Sequence, residues 1–200
     1  MEKGFTLIEL LITISIVGIL SLSVISSLAG AIEQTKYNKT GRTKLSLAQA
    51  AQLYWIDTGF YPPDVGRGWD PGFERKNPWN SDLEDGDPGA PTSTNVNCDH
   101  CPSNWEEILD QSWNGPYLTE WPDETEWGGE YDYNYWPNPT NRSGCIVSPG
   151  IYAGAQRNYS NDISTQIPTE SEQALLDLGL DDDLCLNLES QLKLHSIEDL

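Results

Sequence analysis

The segment Cys98-Asp99-His100-Cys101 brings two sulfurs and an imidazole into four consecutive residues, a spacing that suits a disulfide or half of a zinc site. The remaining cysteines are Cys145 and Cys185, and these would have to complete a zinc site. One C-x-x-C without a second closely spaced pair is a weak zinc signal. An extracytoplasmic location favours two disulfides instead, with three pairings open. Glu9 poses a different question. No residue from Leu10 to Ile32 is charged, a run of 23 residues, and Glu9 stands among apolar neighbours at its head. A charge at the centre of a membrane-spanning helix costs about 2.5 kcal/mol or more, so its presence calls for a partner. Enzyme chemistry finds no footing: His100 and His195 are far apart in sequence, and neither a nucleophile elbow nor a phosphate loop is present.

At about 1.5 Å per residue the uncharged run spans about 35 Å as a helix, enough to cross a bilayer and too long for the apolar core of a signal peptide. Ser27-Leu28-Ala29 before Gly30 is nevertheless a small-x-small pattern. No proline precedes Pro62, so the helix can continue, with Gly41 as its expected point of bending. Leu47, Ala50, Ala51 and Tyr54 follow i, i+3, i+4, i+7 spacing, an apolar stripe suited to packing on a sheet. Gly59 and the pair Pro62-Pro63 end that helix.

Residues 64–102 read as a long irregular loop, rich in Gly, Pro, Asn, Asp and Ser. Ser103 and Glu106 fit a capping box opening a short helix to about Asp110. Glu130 to Trp136 alternates as a strand, and Gly144 to Gly154 is a second strand candidate. Thr169 to Glu172 opens a Leu-rich helical tail in which Asp181, Asp182 and Asp183 form a charged turn between two segments. A long helix, a loop and a few antiparallel strands make an α+β domain with the helix laid across the sheet.

Of the chain's 31 Asp and Glu residues, 27 lie from Asp64 onward, against six of its 11 Lys and Arg. Such a domain repels phosphate backbones and disfavours nucleic-acid binding. The eight tryptophans would serve as core, or as the stacking platform of a membrane-tethered glycan-binding module.

Gly4-Phe5-Thr6-Leu7-Ile8-Glu9-Leu10 resembles the signature of type IV prepilins and type II secretion pseudopilins. The segments around Leu47 to Asp64, Gly115 to Pro122 and Trp127 to Tyr135 are similar to the helix end and strand region of major pseudopilins. That resemblance implies a leader, residues 1–4, removed after Gly4 by a prepilin peptidase, and methylation of the new terminus at Phe5. It implies a transmembrane and filament-core helix over residues 5–32, with an extracytoplasmic pilin-like domain over residues 33–200. Glu9 would meet the free amine of a neighbouring subunit's first residue and set register. The implied assembly is a homo-oligomeric helical filament with other pilins or pseudopilins, built on an inner-membrane platform. A type IV pilus or competence pilin is the alternative within the family. Major pseudopilins commonly hold calcium, for which Asp123, Glu124, Glu126 and Asp132 could supply oxygen ligands, although their spacing is not that of a defined calcium loop.

Overall fold

The computed structural model describes residues 6–78, 96, 98–122, 124–158 and 160–197, the side chains of residues 22–27 excepted. The expected leader, residues 1–4, together with Phe5 and Asp123, lies outside the described residues. The chain forms two compact units, residues 1–38 and 39–200, and helix α1, Leu7–Thr58, runs from the first into the second.

In the first unit the helix is uncharged from Leu10 to Ile32, and its described large apolar side chains are exposed, Leu7, Ile8, Ile12, Val17 and Ile19 among them. Among the described residues no helix is long and apolar enough to cross a membrane. The side chains left undescribed, those of residues 22–27, fall in the middle of the uncharged run.

The second unit begins with the apolar stripe. Leu47, Ala50, Ala51 and Tyr54 are each at most 1% exposed, as the helical spacing predicts. The helix passes through Gly41, where a Cβ would sit 3.5 Å from Leu180, so this glycine lies at a close packing contact. Gly59 takes a left-handed φ of 80° and donates to the Trp55 carbonyl at 2.8 Å, closing the helix end. The described part of the following loop is irregular but not superficial, since Val65, Asp70 and Phe73 are buried.

Helix α2, Trp105–Ser112, starts two residues after the expected Ser103 cap. Asn104 holds the cap position and makes no side-chain capping bond. Strand β1, Glu130–Trp136, forms where alternation places it. The second strand candidate is two strands: β3, Cys145–Val147, pairs with β2, Thr140–Arg142, in a hairpin, and β4, Gly150–Gln156, belongs to the main sheet. Pro149, which has no N–H to give a ladder, separates them. The hairpin turn uses Ser143 and Gly144, both at positive φ, the two-residue turn that matches strand twist.

After the 3-10 turn Ile163–Thr165 comes α3, Thr169–Asp177, capped from Pro168 without a side-chain bond. The expected second helical segment is instead strand β5, Ser190–His195. It completes an antiparallel sheet of order β1-β4-β5. A near-alternation of apolar and polar residues over Gln191-Leu192-Lys193-Leu194-His195 suits a strand better than a helix.

Tyrosine rather than tryptophan builds this core. Tyr54, Tyr131, Tyr133 and Tyr152 are at most 1% exposed, whereas of the described tryptophans only Trp121 and Trp136 are buried. Large meets small across the sheet, Tyr131 opposite Ala155 and Tyr133 opposite Ala153. Phe73 sits edge-on to both Tyr54 of the helix and Tyr133 of the sheet, and His195 Nε2 donates to the Ala48 carbonyl at 2.9 Å. Helix, loop and sheet are thereby joined through one aromatic cluster.

Candidate functional site

Glu9 and Thr6 form a reciprocal cap at the start of α1. The Glu9 carboxylate accepts from the Thr6 backbone N–H at 2.9 Å and from its hydroxyl at 2.7 Å, while Glu9 N donates to Thr6 Oγ1 at 3.3 Å. This is a capping box, and Thr6-Leu7-Ile8-Glu9 carries its S/T-x-x-E pattern in the sequence. Reading Glu9 only as a charge in apolar surroundings overlooks that second task.

The cysteines pair as Cys98–Cys101 and Cys145–Cys185. A zinc site drawing on all four is therefore not formed. Cys145 and Cys185 cross-link β3 to the segment after α3. His100 lies against the first pair, its Nδ1 and Nε2 at 3.7 and 3.4 Å from Cys98 Sγ. Nε2 also donates to the Tyr61 carbonyl at 3.0 Å, and the ring stacks on Tyr135 with centroids 3.6 Å apart. Burial pushes the imidazole below its usual range, while the Tyr61 and Pro62 carbonyls and the Asp99 charge pull it back. Among the described residues this is the one cluster of three side chains whose ligand atoms lie close enough to hold a metal.

Of the residues expected to bind calcium, Asp123 lies outside the described residues, and Glu124, Glu126 and Asp132 have separate surroundings. Glu126 pairs with Lys39 at 2.9 Å and accepts from Tyr131 Oη at 3.1 Å. Asp132 accepts from Gln156 Nε2 at 2.8 Å, and Glu124 is exposed. Asp132 instead faces Asp64, with Arg67 lining the same cavity. Burial pushes Asp132 up to about 6 against the pull of Arg67 and Arg142. Asp64 keeps surface exposure as a residue, but its carboxyl is largely out of water, which together with the Asp132 charge pushes it up to about 7.

A second acidic group replaces the expected charged turn. Asp181 and Asp183 are 1% and 3% exposed, and Glu172 is fully buried. Their oxygens accept backbone N–H groups: Asp181 from Asp183 and Gln191, Asp183 from Cys185, and Glu172 from Asn187 and Leu188. Burial raises all three, Asp181 to about 7. Asp182 alone turns outward, to Lys44 at 2.7 Å.

Residues 1–25 match the family described as the prokaryotic N-terminal methylation motif. The amino terminus of the chain thus carries the sequence of that motif. Over 61 residues it is 34% identical to the type II secretion system core protein G of Pectobacterium carotovorum subsp. carotovorum. It is 33% identical over 61 residues to the protein of the same name from Escherichia coli (strain K12). Each alignment covers 30% of this chain, and they cover 39% and 42% of the relatives, so the match spans about two fifths of their length. No solved structure matches the chain.

Proposed function

We propose that this chain is a structural subunit of a type IV pilin-like filament of the type II secretion kind. The observation that carries the reading is the amino-terminal part of α1, with large apolar side chains exposed and a carboxylate in its first turn, within residues that match a methylation motif. Such a surface is costly in water and finds its solvent in lipid or among copies of itself. The uncharged run, Leu10 to Ile32, is long enough in sequence for either. A prepilin peptidase would cut after Gly4, Phe5 would be methylated, and the subunit would wait in the cytoplasmic membrane with its acidic domain outside. It then joins other pilins or pseudopilins on an inner-membrane assembly platform. The similarity to type II secretion core proteins favours the secretion filament over a pilus.

Within the filament Glu9 meets the amine of a neighbouring Phe5, since a carboxylate among apolar helices is tolerable only against a positive charge. The capping box separates this role from a purely local one. Glu9→Gln keeps a capping side chain but removes the charge; Thr6→Ala loses the hydroxyl but leaves the charge. Filament yield in cells expressing the assembly machinery should fall at least tenfold for Glu9→Gln and much less for Thr6→Ala. Mass spectrometry of the native chain should show a methylated terminus at Phe5. An intact Met1 or a start at Gly30 would sink the proposal and leave a tethered binding module as the better reading.

A further inference from the structure

We propose that Cys98, His100 and Cys101 form a redox-gated site for one thiophilic divalent cation, with Zn2+ the natural case, bound when the Cys98–Cys101 bond is reduced. Their ligand atoms already lie within 4.8 Å of one another. Tetrahedral zinc with Zn–S of about 2.3 Å and Zn–N of about 2.0 Å sets sulfur and nitrogen about 3.5 Å apart. His100 Nδ1 is 3.7 Å from Cys98 Sγ, so the imidazole is nearly placed, while reduction lets the two bonded sulfurs move apart to separate ligand positions. The imidazole is oriented from several sides: Nε2 donates to the Tyr61 carbonyl at 3.0 Å, the Pro62 carbonyl also contacts the ring, and the ring lies flat on Tyr135. A carbonyl on one ring nitrogen is the usual means of fixing the tautomer of a metal-binding histidine. A cavity of about 370 Å3, lined by Asp64, Asp99, His100, Tyr135 and Pro137, opens onto the imidazole and leaves room for a water as fourth ligand.

The cross-link contributes little to the fold by comparison with its partner. It joins residues three apart, already turned by the Cys101 N–H to Cys98 carbonyl bond at 3.1 Å, whereas Cys145–Cys185 joins residues 40 apart. The spacing suits either a disulfide or a cation site, and the histidine beside it is accounted for by the cation site. A dithiol reductant supplies two electrons and two protons, is oxidised to its own disulfide, and leaves two thiols. Zn2+ then displaces both thiol protons, forming two Zn–S bonds and one Zn–N bond. Thiol–disulfide exchange with a second disulfide, which takes the two electrons and two protons and leaves as a dithiol, reforms the Cys98–Cys101 bond and releases Zn2+.

The filament reading is not required for this site. The test uses the full chain in detergent, stripped of metal, reduced with a phosphine and titrated anaerobically with Co2+ followed by Zn2+. At one equivalent of Co2+ the reduced chain should show thiolate charge-transfer and tetrahedral d–d bands that Zn2+ abolishes, and the oxidised chain should show none. His100→Ala should weaken binding at least tenfold, and Cys98→Ser/Cys101→Ser should remove the bands under the same reducing conditions. Bands that survive in the double-serine variant would place the ion on the other cysteine pair and overturn the proposal, as would unchanged affinity in His100→Ala. Should reduction unfold the chain, the titration is read as refolding: Co2+ restoring the helical circular dichroism together with the bands supports the site, and failure to restore them refutes it.

Discussion

Asp70 shows how much one side chain organises in the stretch where secondary structure is absent. Its two oxygens accept from the backbone N–H groups of Gly72, Phe73, Glu74 and Arg75 at 2.7 to 3.2 Å, and the residue is 3% exposed. Those four donors have no strand or helix to serve them, so the carboxylate is what holds Phe73 in the aromatic core. Asp70→Ala would leave them facing a void, at a cost of about 3 kcal/mol by the penalty for buried unsatisfied donors. Asp70→Asn keeps one acceptor but turns an N–H toward the others, and should cost roughly half as much. Urea midpoints of the two variants measure both, and an alanine variant as stable as the parent would refute the assignment. Asp70-Pro71-Gly72 is a legible turn in the sequence, because aspartate commonly accepts from the backbone two residues on. That the turn is buried is not legible, since a loop composition says nothing of which loop covers the sheet. The Thr6 and Glu9 cap was readable from four residues; the burial of Asp181 and Asp183 was not, because a run of three acids ordinarily means a solvated surface.

At the scale of elements, periodicity identified what it could reach. The stripe from Leu47 to Tyr54 and strand β1 repeat over enough residues for their pattern to exceed chance. β2, β3 and β5 are short, and their identity depends on partners distant in the chain, so local pattern misplaced or merged them. The β2–β3 hairpin makes the point physically. A two-stranded hairpin is marginal by itself, and this one is held from outside by Cys145–Cys185. Chain-entropy arithmetic gives about 4 kcal/mol for a cross-link spanning 40 residues and about 2 kcal/mol for one spanning three. Cys145→Ser/Cys185→Ser should accordingly lower the urea midpoint about twice as far as Cys98→Ser/Cys101→Ser. Equal losses in the two variants would mean that the short bridge supports packing beyond its own loop.

The whole molecule carries a net charge of −20 and places several of its carboxyls out of water. Burial raises Asp132 to about 6 and Asp64 and Asp181 to about 7, and it raises Asp70, Glu172 and Asp183 as well. A carboxyl raised in the folded state binds its proton there more tightly than in the unfolded chain. Between about pH 4, where the unfolded carboxyls titrate, and about pH 7, the native state holds more protons, so stability rises as pH falls through that range. His100 acts in the opposite direction, because its depressed imidazole disfavours folding once the unfolded ring protonates. Asp162, whose carboxyl the Ser164 N–H holds below its usual range, opposes as well; these stand against six raised carboxyls, and protonation also relieves the repulsion of an acidic surface. The full chain in detergent should therefore melt higher at pH 5 than at pH 8, by about 5 °C or more on the usual conversion of free energy to Tm for a chain of this size. Asp181→Asn keeps an acceptor oxygen for the Gln191 N–H while removing the charge, so it should flatten that slope, with its largest gain in Tm at pH 8. A melting temperature that fell on acidification, or a slope unchanged in Asp181→Asn, would show that these carboxyls remain solvated in the folded chain.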